Sequence, residues 1–112
     1  MYYDLNKLYY GGACKVDKEV AYEWMRIPHF YSPFYVYKYA TGFCAAVALA
    51  RGILSGDPEK LAAYRKFLTL GGSMKPIDEL RVAGVDMSTP QPVCEALDYF
   101  AELVLAYGEL EA

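Results

Sequence analysis

Histidine is nearly absent from this 112-residue chain, which holds one, His29. That scarcity excludes a His-Glu-x-x-His zinc helix and leaves no partners here for a Ser-His-Asp or Cys-His constellation. No Gly-x-Ser-x-Gly elbow, phosphate-cradling glycine loop or dinucleotide fingerprint occurs either. Cysteine is sparse: Cys14, Cys44 and Cys94 are odd in number and far apart, with no C-x-x-C pair. Neither a disulfide framework nor a structural zinc site follows, and three thiols acting as small buried hydrophobes in a reduced, cytoplasmic setting are expected. Clusters of positive charge are missing as well. With 11 basic and 14 acidic side chains and a net charge of −3, the chain offers no field for phosphates, so nucleic acid is not an expected partner. The longest apolar run, Tyr39 to Ala50, is broken by Thr41 and Gly42 and falls short of the roughly 20 residues that span a bilayer. No charged region followed by an apolar stretch opens the chain, so no secretory signal and no membrane partner are expected.

What is present is apolar and aromatic. Hydrophobic residues make up 55% and charged ones 22%, a globular composition that predicts one domain with a substantial core. Tyrosine alone occurs twelve times.

Helical periodicity dominates the chain and no convincing alternating strand appears, which predicts an all-α fold of five or six helices with one long central helix. Tyr2 to Tyr10 reads as a helix stopped at Gly11-Gly12. Asp17 is placed to cap a second helix through Val20, Ala21 and Trp24, which Pro28 ends. Ser32-Pro33 is a good start for the long helix, because serine can satisfy orphan N–H groups and proline at the first position loses no needed donor. That helix is expected to run to Leu54, and its small residues Ala45, Ala46, Ala48, Ala50 and Gly52 suit close packing at the centre. Asp57-Pro58 restarts a helix that Gly71-Gly72 stop. A short helix fits Lys75 to Ala83 after a Ser73 cap and closes at Gly84. From Pro92 to Leu110, Val93, Ala96, Leu97, Phe100, Leu103, Val104 and Tyr107 recur at i, i+3, i+4, i+7, the clearest amphipathic pattern in the chain.

Chemistry concentrates between Arg26 and Gly42, where His29 lies among Tyr31, Tyr35, Tyr37 and Tyr39. With the long helix beginning at Pro33, Tyr35 and Tyr39 stand one turn apart on it, and imidazole and phenol groups converge at its mouth. Neutral donors so placed can stabilise a carbonyl oxygen that gains negative charge beside a Lewis-acid metal. Pattern alone favours the plainer reading, rim or core tyrosines and a structural histidine.

The run Tyr22-Glu23-Trp24-Met25-Arg26-Ile27-Pro28-His29-Phe30-Tyr31, followed by Phe34-Tyr35-Val36-Tyr37-Lys38-Tyr39-Ala40-Thr41-Gly42, closely resembles the C-terminal region of the oligoendopeptidase F family of thimet oligopeptidase-like zinc metallopeptidases. The resemblance continues through Phe67-Leu68, Gly71-Gly72-Ser73 and Ala83-Gly84-Val85-Asp86-Met87, from about Tyr2 to Leu110. It implies a mostly helical enzyme several times longer, with a channel for short peptides. It also implies zinc held by two histidines and a glutamate upstream of this chain. No zinc is expected on this chain by itself, and no peptide cleavage. Carried over by position, His29 positions substrate, Tyr35 donates to the oxyanion, and Tyr31, Tyr37 and Tyr39 line the peptide. Two other classes remain open: a stand-alone helical peptide-binding module, and a self-associating protein whose aromatic face joins copies into a homo-oligomer.

Overall fold

The computed structural model describes residues 1–110. Among these the chain is all-α, with five α-helices, two 3-10 segments and no strand. It divides into two compact units, Met1–Lys38 and Tyr39–Ala112.

In the first unit, α1 (Tyr2–Tyr10) starts with the Met1 carbonyl accepting the Leu5 N–H. Asp4 in its first turn pairs with the N-terminal ammonium at 2.8 Å, which holds the carboxyl below its ordinary value. Gly11, at φ 56°, ends the helix by donating its N–H to the Lys7 carbonyl. The segment expected as a second α-helix is a nine-residue 3-10 helix, Lys18–Arg26. Asp17 occupies its N-cap position without capping, because its carboxylate meets Lys15 Nζ at 3.3 Å instead. Pro28 holds Ile27 extended and ends the segment as expected, and a second 3-10 turn, Pro28–Tyr31, carries His29.

The long helix begins later than the sequence predicts. α2 spans Tyr37–Leu54, not Ser32 onward. Ser32 is extended ahead of Pro33, which suits a cap, but Phe34 then takes a positive φ of 57° and breaks the helical path. Tyr35 therefore precedes α2, and its pairing with Tyr39 along one helix does not exist. The Tyr35 carbonyl instead accepts the Lys38 N–H at 3.2 Å, closing the turn into α2.

The second unit follows the sequence closely. α2 ends at Gly56, φ 78°, and α3 (Pro58–Leu70) starts with the Asp57 carboxylate accepting the Glu59 N–H at 2.9 Å. α4 (Pro76–Val82) packs beside α3. Ser73 does not cap it; the Glu79 carboxylate reaches back to the Met74 N–H at 3.2 Å. At its end the Val85 N–H meets the Leu80 carbonyl and the Gly84 N–H meets the Arg81 carbonyl, a Schellman closure that places Gly84 at φ 87°. α5 (Gln91–Leu110) is tied to α2 by Arg51, which lies 4.6 Å from the Tyr99 ring centroid and 3.5 Å from Glu102.

The core is smaller than the composition predicts. Cys44 and Ala45 of α2, Ala83, Val85 and Pro92 are buried, and no large aliphatic or aromatic side chain among the described residues joins them. The amphipathic stripe of α5 is open to solvent, with Phe100 64% and Tyr107 62% exposed. Of the three free thiols only Cys44 is buried; Cys14 and Cys94 are exposed, against expectation. No helix among the described residues is long and apolar enough to cross a membrane.

Candidate functional site

Pro28 and Pro33 fix φ at both ends of the segment between them, and Phe34 follows in a left-handed conformation at φ 57°. His29 and Tyr35 lie together within the first unit. Their rings stack with centroids 5.6 Å apart and planes inclined by 29°. Lys38, one turn into the path from Tyr35, sets its Nζ 5.3 Å from the Tyr35 ring centroid, a cation–π distance. Tyr35 is 37% exposed, while Phe34, 87% exposed, points away from any packing.

The other tyrosines differ in what they do. Tyr31 donates its hydroxyl to the Met25 carbonyl at 2.7 Å, tying the second 3-10 turn to the first segment. Beside it Phe30 meets Tyr2 of α1 edge-on, centroids 6.4 Å apart. Arg26 and Glu23 pair on the first segment. Tyr37 opens α2 and is exposed. Tyr39, also exposed, belongs to the second unit. So the structure unites His29 and Tyr35, adds Lys38, and commits the Tyr31 hydroxyl to the backbone. Lys38 was missed as a member of the group, although its signal was present: it is the one charge between Ile27 and Ala50.

Two grooves lie elsewhere. One of about 460 Å³ is lined by Asn6, Tyr10, Val20 and Glu23 in the first unit, and one of about 600 Å³ by Val47, Gly52, Lys60 and Val85 in the second. Neither contains a candidate site residue. No group of three or more His, Cys, Asp or Glu side chains that could hold a metal ion exists among the described residues.

An all-helical chain with an imidazole–phenol pair at the mouth of a helix matches the family model of Peptidase family M3 over residues 1–99, and the chain belongs to that family. It is 50% identical over 110 residues to Oligopeptidase PepF of Bacillus subtilis, covering 98% of this chain and 16% of that protein. Group B oligopeptidase PepB of Streptococcus agalactiae is 41% identical over 112 residues, covering all of this chain and 19% of the relative. The crystal structure of oligoendopeptidase-F from Enterococcus faecium superposes with a TM-score of 0.85 at 40% identity, covering 99% of this chain and 21% of that one. The chain thus spans between a sixth and about a fifth of the length of these relatives.

Proposed function

We propose that this chain is the substrate-facing part of a zinc metallo-oligoendopeptidase that hydrolyses short peptides, and that it supplies donors to the reacting peptide rather than the metal. The single observation that carries the reading is the stacked His29–Tyr35 pair, an imidazole and a phenol held on one exposed surface. Membership of Peptidase family M3 and the names of the oligopeptidase relatives support it. Tyr35 donates its O–H to the scissile carbonyl oxygen as that oxygen gains negative charge, and His29 holds the ring and positions the substrate backbone. Tyr37 and Tyr39 offer further donors along the peptide, and Tyr31 its ring, its hydroxyl remaining on Met25. Zinc belongs to the portion of the enzyme outside this chain, since the donor set here does not fit it, and a cytoplasmic location accords with three unpaired thiols.

Tyr35→Phe keeps the ring and its stacking but removes the donor. In the complete enzyme we expect kcat to fall about a hundredfold or more, corresponding to roughly 2.7–4 kcal/mol of transition-state stabilisation, with bound zinc and KM little changed. Unchanged turnover would remove Tyr35 from the mechanism.

A further inference from the structure

Phe34 joins a costly backbone conformation to a side chain that the fold does not use. Among the described residues it is the one non-glycine with a positive φ, 57°. The other such positions, Gly11, Gly56, Gly71, Gly72 and Gly84, are filled by glycine, which takes that conformation without steric penalty. For a bulky residue the same conformation is an outlier. Burial does not offset the cost, because the ring is 87% exposed. The turn ahead of α2 therefore has a use for the dihedral and none for the phenyl group. Strained residues of this kind collect at functional sites, where the strain belongs to the working of the site. Phe34 directly precedes Tyr35 across a trans peptide, so their Cα atoms lie about 3.8 Å apart, and the Tyr35 ring is the one that stacks on His29.

We infer that Phe34 is a specificity-determining residue whose ring receives an apolar side chain of the peptide close to the cleaved bond. The inference rests on the reading of His29 and Tyr35 as substrate-facing. A phenyl group carries no hydrogen-bond donor or acceptor, so it does not select a charge or hold a peptide backbone by a polar bond. What it offers is apolar area and an aromatic face, which favour aliphatic and aromatic side chains. The scale fits: an extended peptide advances about 3.3–3.6 Å per residue, so side chains one or two residues from a carbonyl at Tyr35 are separated from it by distances like that between Phe34 and Tyr35. Contact with such a side chain removes from water the apolar surface that the ring exposes here.

The test uses the complete enzyme and matched fluorogenic peptides that differ in one residue, Ala, Leu or Phe, placed on one side or the other of the cleaved bond. Phe34→Gly and Phe34→Asn both accept the positive φ and remove the ring. Each is expected to lower kcat/KM for the Leu and Phe peptides about three- to tenfold and to leave the Ala peptides within about twofold. Phe34→Tyr, which keeps the ring, retains the preference. The side of the bond on which selectivity falls locates the side chain that the ring receives. An equal loss on all peptides makes Phe34 a support for the His29–Tyr35 pair alone and overturns the inference, as does no loss on any, or a wild type that does not favour Leu or Phe over Ala. A lower melting temperature in both ring-less variants with selectivity unchanged sets the ring against protein and overturns it too. Failure of the underlying reading shows separately: Tyr35→Phe then leaves kcat unchanged, whatever the Phe34 variants do to the side-chain preference.

Discussion

At the residue scale, Phe34 decides the geometry of the site. A phenylalanine at φ 57° occupies a region that costs non-glycine residues about 1–2 kcal/mol, and its 87% exposed ring recovers little by burial. Phe34 lies between His29 and Tyr35 in the chain, immediately before the ring that stacks on the imidazole. Substitution there separates backbone from side chain. Phe34→Gly accepts the positive φ, so stability should change by less than about 1 kcal/mol. Phe34→Val, β-branched, should cost about 1–2 kcal/mol more than the glycine variant in urea denaturation and should disrupt the His29–Tyr35 stack. Equal stabilities for the two variants would show that the backbone does not hold this conformation in solution. Nothing in the residue types from Ser32 to Val36 announced the turn, because a Ser-Pro start is equally good chemistry for the helix that does not form there.

At the element scale, the caps were legible where a short-range side-chain bond makes them and illegible where a competitor takes the side chain. Asp57 bonds the Glu59 N–H and starts α3 as expected; Asp17, in a similar position, is drawn to Lys15 and caps nothing. The turn from α4 into α5 is held by Asp86. Its carboxylate accepts from the Ser88 hydroxyl at 2.6 Å and the Ser88 N–H at 2.9 Å, and meets Arg81 Nε at 3.2 Å. The two bonds from Ser88 and then the Arg81 guanidinium hold the Asp86 carboxyl at about 2, below its usual 3.8. Because the folded value is the lower one, this stabilisation is fully present above about pH 4 and is lost as pH falls through the interval down to about 2. Thermal melts of wild type and Asp86→Asn should accordingly converge on acidification across that window. A constant difference between the two would mean that Asp86 acts by shape and not by charge.

At the scale of the whole molecule, the apolar stripe of α5 and the small core belong together. Val93, Leu97, Phe100, Leu103, Val104 and Tyr107 form a continuous face at helical spacing, yet the residues that bury in this unit are Cys44, Ala45, Ala83, Val85 and Pro92. An amphipathic helix that leaves its apolar face in water exposes surface that favours association. The chain by itself should therefore form dimers or larger species in light scattering at high concentration, and Phe100→Lys with Leu103→Lys should shift it toward monomer. A strictly monomeric wild type would argue against that face as an association surface. The relatives are about five to six times longer than this chain, and the helical periodicity of α5 was read correctly from the sequence.

Sequence by itself determined the helical class, the stops at Gly11, Gly71 and Gly84, and the resemblance that places the chain in Peptidase family M3. These depend on interactions a few residues long, or on residue identity alone. Tertiary structure decided that the segment after Asp17 winds as a 3-10 helix, that α2 waits until Tyr37, and that His29, Tyr35 and Lys38 meet. Those outcomes turn on one backbone dihedral and on which of several near-equal hydrogen bonds forms. Differences of about 1 kcal/mol between local alternatives are settled only when the neighbouring segments are in place.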